Sequence, residues 1–470
     1  MDLTELSAVE LSKRIRRREI SCREVMEKYL ERIDVYNPTH NAIVNLRPAR
    51  DILAEATKRD EQLSRGEYLG WMHGLPQAIK DLWWVEGLPT TSGSKLFEHF
   101  IPVRDSLHVE RVKAAGAIII GKTNTPEFGL GSNTYNNVFG ATRNALDPSL
   151  SAGGSSGGAA VAVALRLLPV ADGSDVMGSL RNPAAFNGVI GMRPSIGRVP
   201  TVPGLELFFQ QIGTLGPMGR TVADIAQLLA TMAGYHPEAP LSLGEPTEAF
   251  AGQLDPDLHG LRIGWLGDLG GHLPFEHGVL SICRAAAERM RELGCSVEDA
   301  TIDFDQERLW RAWLVLRQWL VSNRLKDLHV DSRKRAELKP EAIWEIEQGM
   351  TLTAADVYDA SLVRSDWYRM MLTTFGRFDF LVLPAAQVFP YDVDQPWPAE
   401  IDGRRMDTYH RWMEVVVGPT MAGLPVIAMP AGLSESGRPA GIQIIAPPRA
   451  DLPLLRFAKA YERVSKKAAP

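Results

Sequence analysis

Apolar residues recur at helical spacing over the first 65 residues, and this pattern predicts amphipathic helices. Ser7 with Glu10 and Ser21 with Glu24 each fit a capping box, in which the two side chains satisfy free amide groups at a helix start. The pair Asn37-Pro38 predicts the end of the second helix. The spacing is clearest at four positions: Val25, Tyr29, Leu30 and Ile33.

Short apolar runs follow and predict buried strands. They cover residues 75–85, 117–120, 378–384 and 424–432. Strands that are apolar on both faces are typical of parallel or mixed sheets covered by helices, so the pattern predicts an α/β protein. Residues 261–301 predict a strand-helix-strand unit, which we interpret as an excursion from the main sheet.

Two more helices are predicted in the second half of the chain. Thr221 and Asp224 fit the start of a helix that ends near Gly234. Between residues 309 and 321 an aromatic stripe has helical spacing, and we interpret it as core or interface rather than as a cofactor site. It comprises Trp310, Trp313, Leu316 and Trp319.

The composition is typical of a protein with a large buried core, with 45% hydrophobic and 23% charged residues among 470. A net charge of −6 argues against nucleic acid or an anionic membrane as a partner. Cys22, Cys283 and Cys295 show no spacing for disulfides or zinc, and no metal-binding or phosphate-binding motif occurs, so we expect no metal and no cofactor. The charged N-terminus and the lack of a long apolar run predict a cytoplasmic protein.

Lys80 lies in an apolar segment, residues 74–81. Burial disfavours a charged amine and lowers its pKa, so a buried lysine can act as a base near neutral pH. The alternative is structural, a salt bridge between Lys80 and Asp81 at the end of a strand.

Two glycine-rich segments contain serines. Residues 151–158 (SAGGSSGG) place Ser155 and Ser156 between paired glycines, before a helix of small residues at 159–168. Glycines let backbone N–H groups turn inward, and such loops often bind anions, whereas the alternative is a flexible polar linker. A second loop, 172–179, ends at Ser179, where successive amides are placed to form an oxyanion hole.

Residues 153–157 also match the G-x-S-x-G nucleophile elbow, which needs a strand directly before the serine and a later acid and histidine. The preceding residues, 144–152, are polar and contain Pro148, and none of the ten histidines has a distinctive setting. We therefore regard the elbow as the weaker interpretation.

In combination, the lysine strand, the GGSSGG loop and the run GSDxxGSxRxPAxFxGxxGxxPS resemble the amidase signature family. Their order and spacing are similar as well. Further similar segments lie near both ends, SAVELSKRIRRREISCREV and GPTMAGLPVIAMPAG among them, so the resemblance covers nearly the whole chain.

The resemblance implies a single α/β domain over residues 1–470, with a central twisted mixed β-sheet covered by helices on both faces. Within it we expect four parts: N-terminal helices at 1–65, a signature core at 70–235, an insert-like region at 240–375, and C-terminal strands and a helix at 376–470.

The resemblance also implies a catalytic triad. Lys80 would be the base, Ser155 a proton relay that follows a cis peptide bond, and Ser179 the nucleophile. Ser156, Asp175 and Arg181 would support the triad, the last two as a pair. The oxyanion hole would use the backbone N–H groups of Val176, Met177, Gly178 and Ser179, and Gly129, Leu130 and Ser132 would line the acyl side of the pocket.

Three positions depart from the usual family pattern. Met177 stands where glycine is common, Asn187 where cysteine is frequent, and Pro384-Ala385-Ala386 where Thr-Pro-Thr is frequent. None is a triad residue, but Met177 changes the mouth of the expected pocket.

The implied function is an amide-bond hydrolase that acts through an acyl-enzyme on amides, anilides or carbamates (urethanes). Met177 and four aromatic residues hint at hydrophobic or aryl substrates, although each also fits the core: Trp83, Trp84, Phe208 and Phe209. One alternative is the glutaminase subunit of a tRNA-dependent amidotransferase, and another is a non-catalytic scaffold. We expect a small-molecule substrate and leave open whether the chain acts alone or as a homodimer.

Overall fold

The structure is a computed structural model that describes residues 2–209, 212–255 and 258–465. Its N-terminal helices are α1 (Ala8–Arg16), α2 (Cys22–His40) and α3 (Ala49–Ser64). The predicted N-caps of α1 and α2 are present: Ser7 accepts the N–H of Glu10, and Ser21 and Glu24 form a complete capping box.

The predicted break at Asn37-Pro38 is wrong, because α2 continues through Pro38 to His40. The last turn still closes, since the Asn41 N–H donates to the Asn37 carbonyl. The Asn37 side chain also accepts the N–H groups of Ala42 and Ile43, at 3.0 and 2.8 Å. Proline therefore lies in the final turn of the helix rather than after it.

A small sheet holds the lysine strand. It contains β1 (Ile43–Val44), β2 (Pro76–Lys80) and β3 (Ile118–Thr123), and α4 (Leu107–Ala114) leads into β3. β3 lies in the centre, antiparallel to β1 and parallel to β2. Every residue of β2 is buried, as its apolar pattern predicts.

The central sheet is mixed and has eight strands. They are β4 (Val170–Asp175), β5 (Ile190–Arg193), β6 (Thr214–Gly219), β7 (Arg262–Trp265), β8 (Ser296–Asp299), β9 (Phe380–Pro384), β12 (Val426–Leu433) and β13 (Pro439–Ile445). Their order is β4-β6-β5-β12-β13-β9-β7-β8. The pairs from β4 to β9 are antiparallel and those from β9 to β8 are parallel. A separate hairpin consists of β10 (Glu400–Ile401) and β11 (Arg404–Arg405).

Helices flank the central sheet, and this arrangement confirms the predicted fold class. The remaining helices are α5 (Gly157–Ala164), α6 (Arg181–Asn187), α7 (Val222–Met232), α8 (Val279–Glu288), α9 (Gln306–Val330), α10 (Ser332–Glu337), α11 (Pro340–Met350), α12 (Ala354–Phe375), α13 (Val417–Met421) and α14 (Asp451–Ser465). Among them, α6 packs on β5, β12 and β13, α7 on β6, and α8 on β9, β12 and β13.

Two predictions need correction. The segment predicted as a loop at 172–179 is strand as far as Asp175, because β4 pairs with β6 up to that residue. The unit at 261–301 is not an excursion, since β7 and β8 extend the central sheet beyond β9.

The aromatic stripe of α9 contributes to the hydrophobic core, as predicted. Trp310 and Trp313 are buried, and their rings stack with 5.0 Å between the centroids. In the part of the chain that the structure describes, no helix carries an apolar stretch long enough to cross a lipid bilayer.

Candidate active site

Lys80 ends β2 as a fully buried side chain among hydroxyl groups. Its Nζ lies 2.8 Å from Ser155 Oγ, 2.9 Å from Ser156 Oγ and 3.1 Å from Ser174 Oγ. The alternative of a salt bridge with Asp81 is wrong. The Asp81 carboxylate instead accepts the N–H of Thr91 and lies 3.8 Å from Lys122 Nζ.

Burial lowers the pKa of Lys80 to about 7, although the carboxylates of Asp172 and Asp175 act in the opposite direction. A neutral amine has two N–H donors and one lone pair. Three hydroxyl neighbours match this set, because one hydroxyl can donate to the lone pair while the other two accept. The site thus accommodates an uncharged lysine near neutral pH.

The serine loop is held rigidly by side chains beneath it. Ser132 Oγ donates to the Gly154 carbonyl at 2.7 Å and accepts the Gly154 N–H at 3.1 Å, and Thr134 Oγ1 donates to the Gly153 carbonyl. The Gly154–Ser155 peptide bond is cis, as the family resemblance implies. All residues from 151 to 158 are buried, so this segment is not a flexible linker.

The segment before Ser155 decides against a nucleophile elbow. Residues 144–152 form no strand, and only isolated bridges occur at Leu150 and Ser151. The loop leads directly into α5, whose start packs tightly on β3. A Cβ on Gly158 would lie 2.4 Å from the Asn124 backbone nitrogen, so only glycine fits there.

The turn that carries Ser179 is built around the carboxylate of Asp175. This carboxylate accepts the N–H groups of Gly178 at 2.8 Å and Leu180 at 3.2 Å, and Arg181 binds it through two nitrogens at 3.0 Å. Burial alone would raise the pKa of Asp175, but Arg181 and Arg193 outweigh it and hold this pKa well below its usual range. The expected contact between Asp175 and Arg181 is therefore present.

The predicted oxyanion hole needs one correction. The N–H of Gly178 already donates to Asp175 and so holds the shape of the turn. Within the described ranges no acceptor takes the N–H groups of Val176, Met177 or Ser179. Three of the four predicted amides thus remain available to an oxygen above the turn.

Ser155 and Ser179 both line one cavity of about 190 Å³, and Ser174 lies at the same wall. The Ser156 N–H donates to the Ser179 carbonyl at 3.2 Å and so links the two serine-bearing segments. Gly129 also lines the cavity, and a Cβ placed on it would lie 3.5 Å from Ser155 Oγ.

Of the three residues predicted to line the acyl side, only Gly129 is placed there. Ser132 Oγ donates to the Gly154 carbonyl and Leu130 packs beside Leu338, and neither is among the residues that line the cavity. Within this segment the cavity is lined by Phe128, Gly129 and Gly131, all of which have a positive φ.

Of the five residues that hint at a hydrophobic or aryl substrate, the structure places two at the cavity. Trp83 and Met177 line the cavity, and Met177 occupies space that a glycine would leave open. Trp84 and Phe208 do not line it, and Phe209 contacts the Trp319 ring edge-on at 5.6 Å.

The sequence analysis missed two residues around Lys80. Asp172 accepts the Lys80 backbone N–H at 3.3 Å, and Ser174 contacts its amine. Both lie on β4 two residues apart, so they share one face of the strand. A strand prediction for 170–175 would have placed them together.

Comparison with known proteins gives the same family as the residues of the site. The family model described as Amidase matches residues 24–455. An acylamidase from Rhodococcus erythropolis is 35% identical over 464 residues, which cover 98% of this chain and 95% of that protein. The A subunit of a glutamyl-tRNA(Gln) amidotransferase from Thermosynechococcus vestitus is 32% identical, and the match covers 97% of both chains.

Among solved structures, that of a bacterial aryl acylamidase of the amidase signature family superposes with a TM-score of 0.91. It is 29% identical, and the match covers 98% of this chain and 96% of that one. Since the family model and these relatives extend over nearly the full length, the chain belongs to the amidase signature family.

Proposed function

We propose that the chain hydrolyses amide bonds through an acyl-enzyme, with Ser179 as nucleophile, Ser155 as proton relay and Lys80 as base. The observation that carries this proposal is the contact of 2.8 Å between a buried Lys80 amine and Ser155 Oγ, at a cavity that Ser179 also lines. A lysine whose pKa is near 7 accepts a proton at neutral pH without a histidine.

In the first half of the reaction, the Lys80 lone pair takes the proton of Ser155, and Ser155 Oγ takes the proton of Ser179. Ser179 Oγ then attacks the carbonyl carbon of the substrate. The oxygen that gains charge receives hydrogen bonds from the free N–H groups of Val176, Met177 and Ser179.

When the tetrahedral intermediate collapses, the C–N bond breaks and the relay returns the proton through Ser155 to the leaving amine. Water then attacks the acyl-enzyme and gives its proton to the same relay. The acid leaves, Ser179 recovers its proton, and Lys80 returns to the neutral amine, so protons balance over one turnover.

The lining of the cavity supports a substrate class. Its wall near Ser155 and Ser179 is largely apolar, formed by Leu82, Trp83, Phe128, Val176 and Met177. Such a wall favours amides, anilides or carbamates of hydrophobic or aryl character. The similarity to an acylamidase and an aryl acylamidase supports the same choice.

The proposal is tested with a chromogenic anilide, wild-type protein and a Ser179→Ala variant. Removing the nucleophile should lower kcat by about 10⁴-fold or more, and mass spectrometry should no longer find the acylated protein. Serine and alanine differ by one oxygen, so the variant should keep the unfolding temperature of the wild type. Undiminished turnover in Ser179→Ala would refute the assignment.

A second candidate function is the glutaminase subunit of a tRNA-dependent amidotransferase, and the similarity to the A subunit of such an enzyme favours it. In that case the same residues would release ammonia from glutamine for use by a partner. Turnover of glutamine and anilides by the chain alone separates the two candidates. Fast anilide hydrolysis without glutamine hydrolysis supports a stand-alone amidase, and the reverse supports the glutaminase.

A further inference from the structure

Charged residues line part of the same cavity. Arg317 and Arg324 of α9 both line it. They are seven residues apart, which is two helical turns or about 10 Å along the same helix face. Arg317 is buried and Arg324 is exposed, so Arg317 is the inner and Arg324 the outer of the two.

Arg317 is the inner of the two and is held in place. It is 5% exposed, its Nε donates to Glu345 Oε1 at 2.5 Å, and one Nη donates to Tyr409 Oη at 2.7 Å. Glu345 balances its charge, and burial lowers the pKa of the neighbouring His410 to about 4, which leaves that ring neutral. Arg317 also lines the cavity, and its other Nη has no acceptor among the described residues.

Arg324 is the outer of the two, and its charge is not balanced. Across the residues that the structure describes, no carboxylate forms an ion pair with it. The carboxylate of Glu206 also lines the cavity, but it accepts the N–H groups of Phe208 and Phe209 at 2.6 and 2.8 Å. Among its described residues, the cavity is thus lined by an Arg317 paired with Glu345, by Glu206, whose carboxylate accepts two backbone N–H groups, and by Arg324, which forms no ion pair with a described carboxylate.

We infer that Arg317 and Arg324 bind a carboxylate on the substrate, remote from the amide that is cleaved. The inference rests on the proposed function and narrows its substrate class. The substrates would be amides with an apolar or aryl part against Trp83 and Met177 and an anionic end on the α9 side. A guanidinium binds a carboxylate through paired, charge-assisted hydrogen bonds, which makes it a better fit than a neutral ester or amide.

The test uses matched pairs of 4-nitroanilides made from dicarboxylic acids of four to six carbons. In each pair the far end is either a free carboxylate or its methyl ester, so the cleaved bond is unchanged. The proteins are wild type, Arg324→Gln and Arg317→Lys, with Arg311→Gln as the control. Arg311 is an exposed residue of the same helix that does not line the cavity.

The wild type should hydrolyse at least one carboxylate substrate with about tenfold higher kcat/KM than its ester, mainly through a lower KM. Arg324→Gln should remove most of this preference, because the carboxylate substrate loses far more kcat/KM than its ester, whereas Arg311→Gln should preserve it. Raising the salt concentration should weaken the preference, because the outer arginine is open to solvent. Arg317→Lys keeps the charge that Glu345 needs but loses the planar donor pair, so it should weaken carboxylate binding without unfolding the protein.

Equal kcat/KM for acid and ester in every pair would overturn the inference, as would an equal loss on both in Arg324→Gln. Failure of the proposed function gives a different result, because turnover of the esters would then survive Ser179→Ala. Calorimetric binding of the carboxylate substrates to Ser179→Ala keeps the inference testable without turnover. The inference is supported if the carboxylate substrates bind Ser179→Ala more tightly than the esters do. This difference should be lost in the double variant Ser179→Ala/Arg324→Gln.

Discussion

The two buried lysines of the small sheet show how the same residue type acquires different chemistry from its partners. Lys80 on β2 and Lys122 on β3 are both fully buried, and burial lowers their pKa values to about 7 and about 8. The strands are parallel, and Lys122 pairs in register with Ile79, the residue before Lys80. Burial alone therefore does not distinguish the two amines.

Their partners do. The Lys80 amine contacts three hydroxyls, and a hydroxyl can either accept or donate. The Lys122 amine contacts the Trp83 carbonyl, the Thr90 hydroxyl at 3.0 Å and the Asp81 carboxylate at 3.8 Å. A carbonyl and a carboxylate only accept, so they stabilise a lysine that keeps its protons. Lys80 is suited to exchange a proton and Lys122 to hold the strand in place.

The largest expected effect tests this contrast in activity. Lys80→Met should lower kcat/KM for an anilide by about 10³- to 10⁴-fold, because the relay loses its base. Lys122→Met should cost no more than about tenfold, since that amine contacts neither serine of the triad. Steady-state kinetics at pH 8 measures both, and circular dichroism confirms that the variants are folded. A folded Lys122→Met variant as inactive as Lys80→Met would remove the distinction.

The second expected effect is on stability and should be larger at Lys80 than at Lys122. The pKa of Lys80 is lower in the folded protein than the ordinary value of 10.5, so the unfolded chain binds an extra proton between pH 7 and 10.5. Wild-type stability at this site therefore rises with pH through that window, and the full cost of the buried amine is present below pH 7.

At pH 6 the free energy of unfolding of Lys80→Met should accordingly exceed that of the wild type by about 2 kcal/mol. This gain in stability should shrink by pH 9. Lys122→Met should gain less, because the pKa of Lys122 is lowered less and its loss leaves Asp81 buried without a cation. Urea unfolding at both pH values measures the two differences. A gain for Lys80→Met that grows with pH would contradict the expected sign.

The sequence analysis selects Lys80 as the base, but its argument from burial gives no reason to prefer Lys80 to Lys122. Both lie in apolar runs, and the argument from burial applies equally to IIIGKTN and to LPQAIKD. Lys80 is distinguished from Lys122 by the resemblance to the amidase signature family, which also involves the distant GGSSGG loop and the turn at Ser179. The partners themselves, Ser174 above all, depend on how β4 lies beside β2, which no local pattern specifies.

The fold is predicted best where local rules dominate. Capping residues place the starts of α1, α2 and α7, and apolar runs place β2, β3, β9 and β12. The errors occur where tertiary contacts override local signals. Glycine and serine at 173–174 suggest a loop, but pairing with β6 makes them strand. The pocket prediction fails at Leu130 and Ser132 for a similar reason, since tertiary contacts place Leu130 beside Leu338 and Ser132 Oγ against the Gly154 carbonyl.

The smallest expected effect concerns the dependence of kcat/KM on pH. This dependence should change when the Asp172 carboxylate is removed and not when the Asp81 carboxylate is removed. Because the neutral amine is the active form, kcat/KM should fall about tenfold per pH unit below a limb near pH 7. Asp172 raises the pKa of Lys80, so Asp172→Asn should move this limb to lower pH by up to about one unit. The asparagine oxygen can still accept the Lys80 backbone N–H.

Asp81→Asn is the matched control, because Asp81 lies beside Lys122 and is not among the groups that shift Lys80. The acidic limb of its kcat/KM profile should lie at the same pH as in the wild type, even if the protein is less stable. The measurement is kcat/KM from pH 5 to 9 with an anilide that does not titrate in this range. Equal shifts in the two variants would mean that the lysines titrate as one coupled pair, and the separation of roles between them would then be wrong.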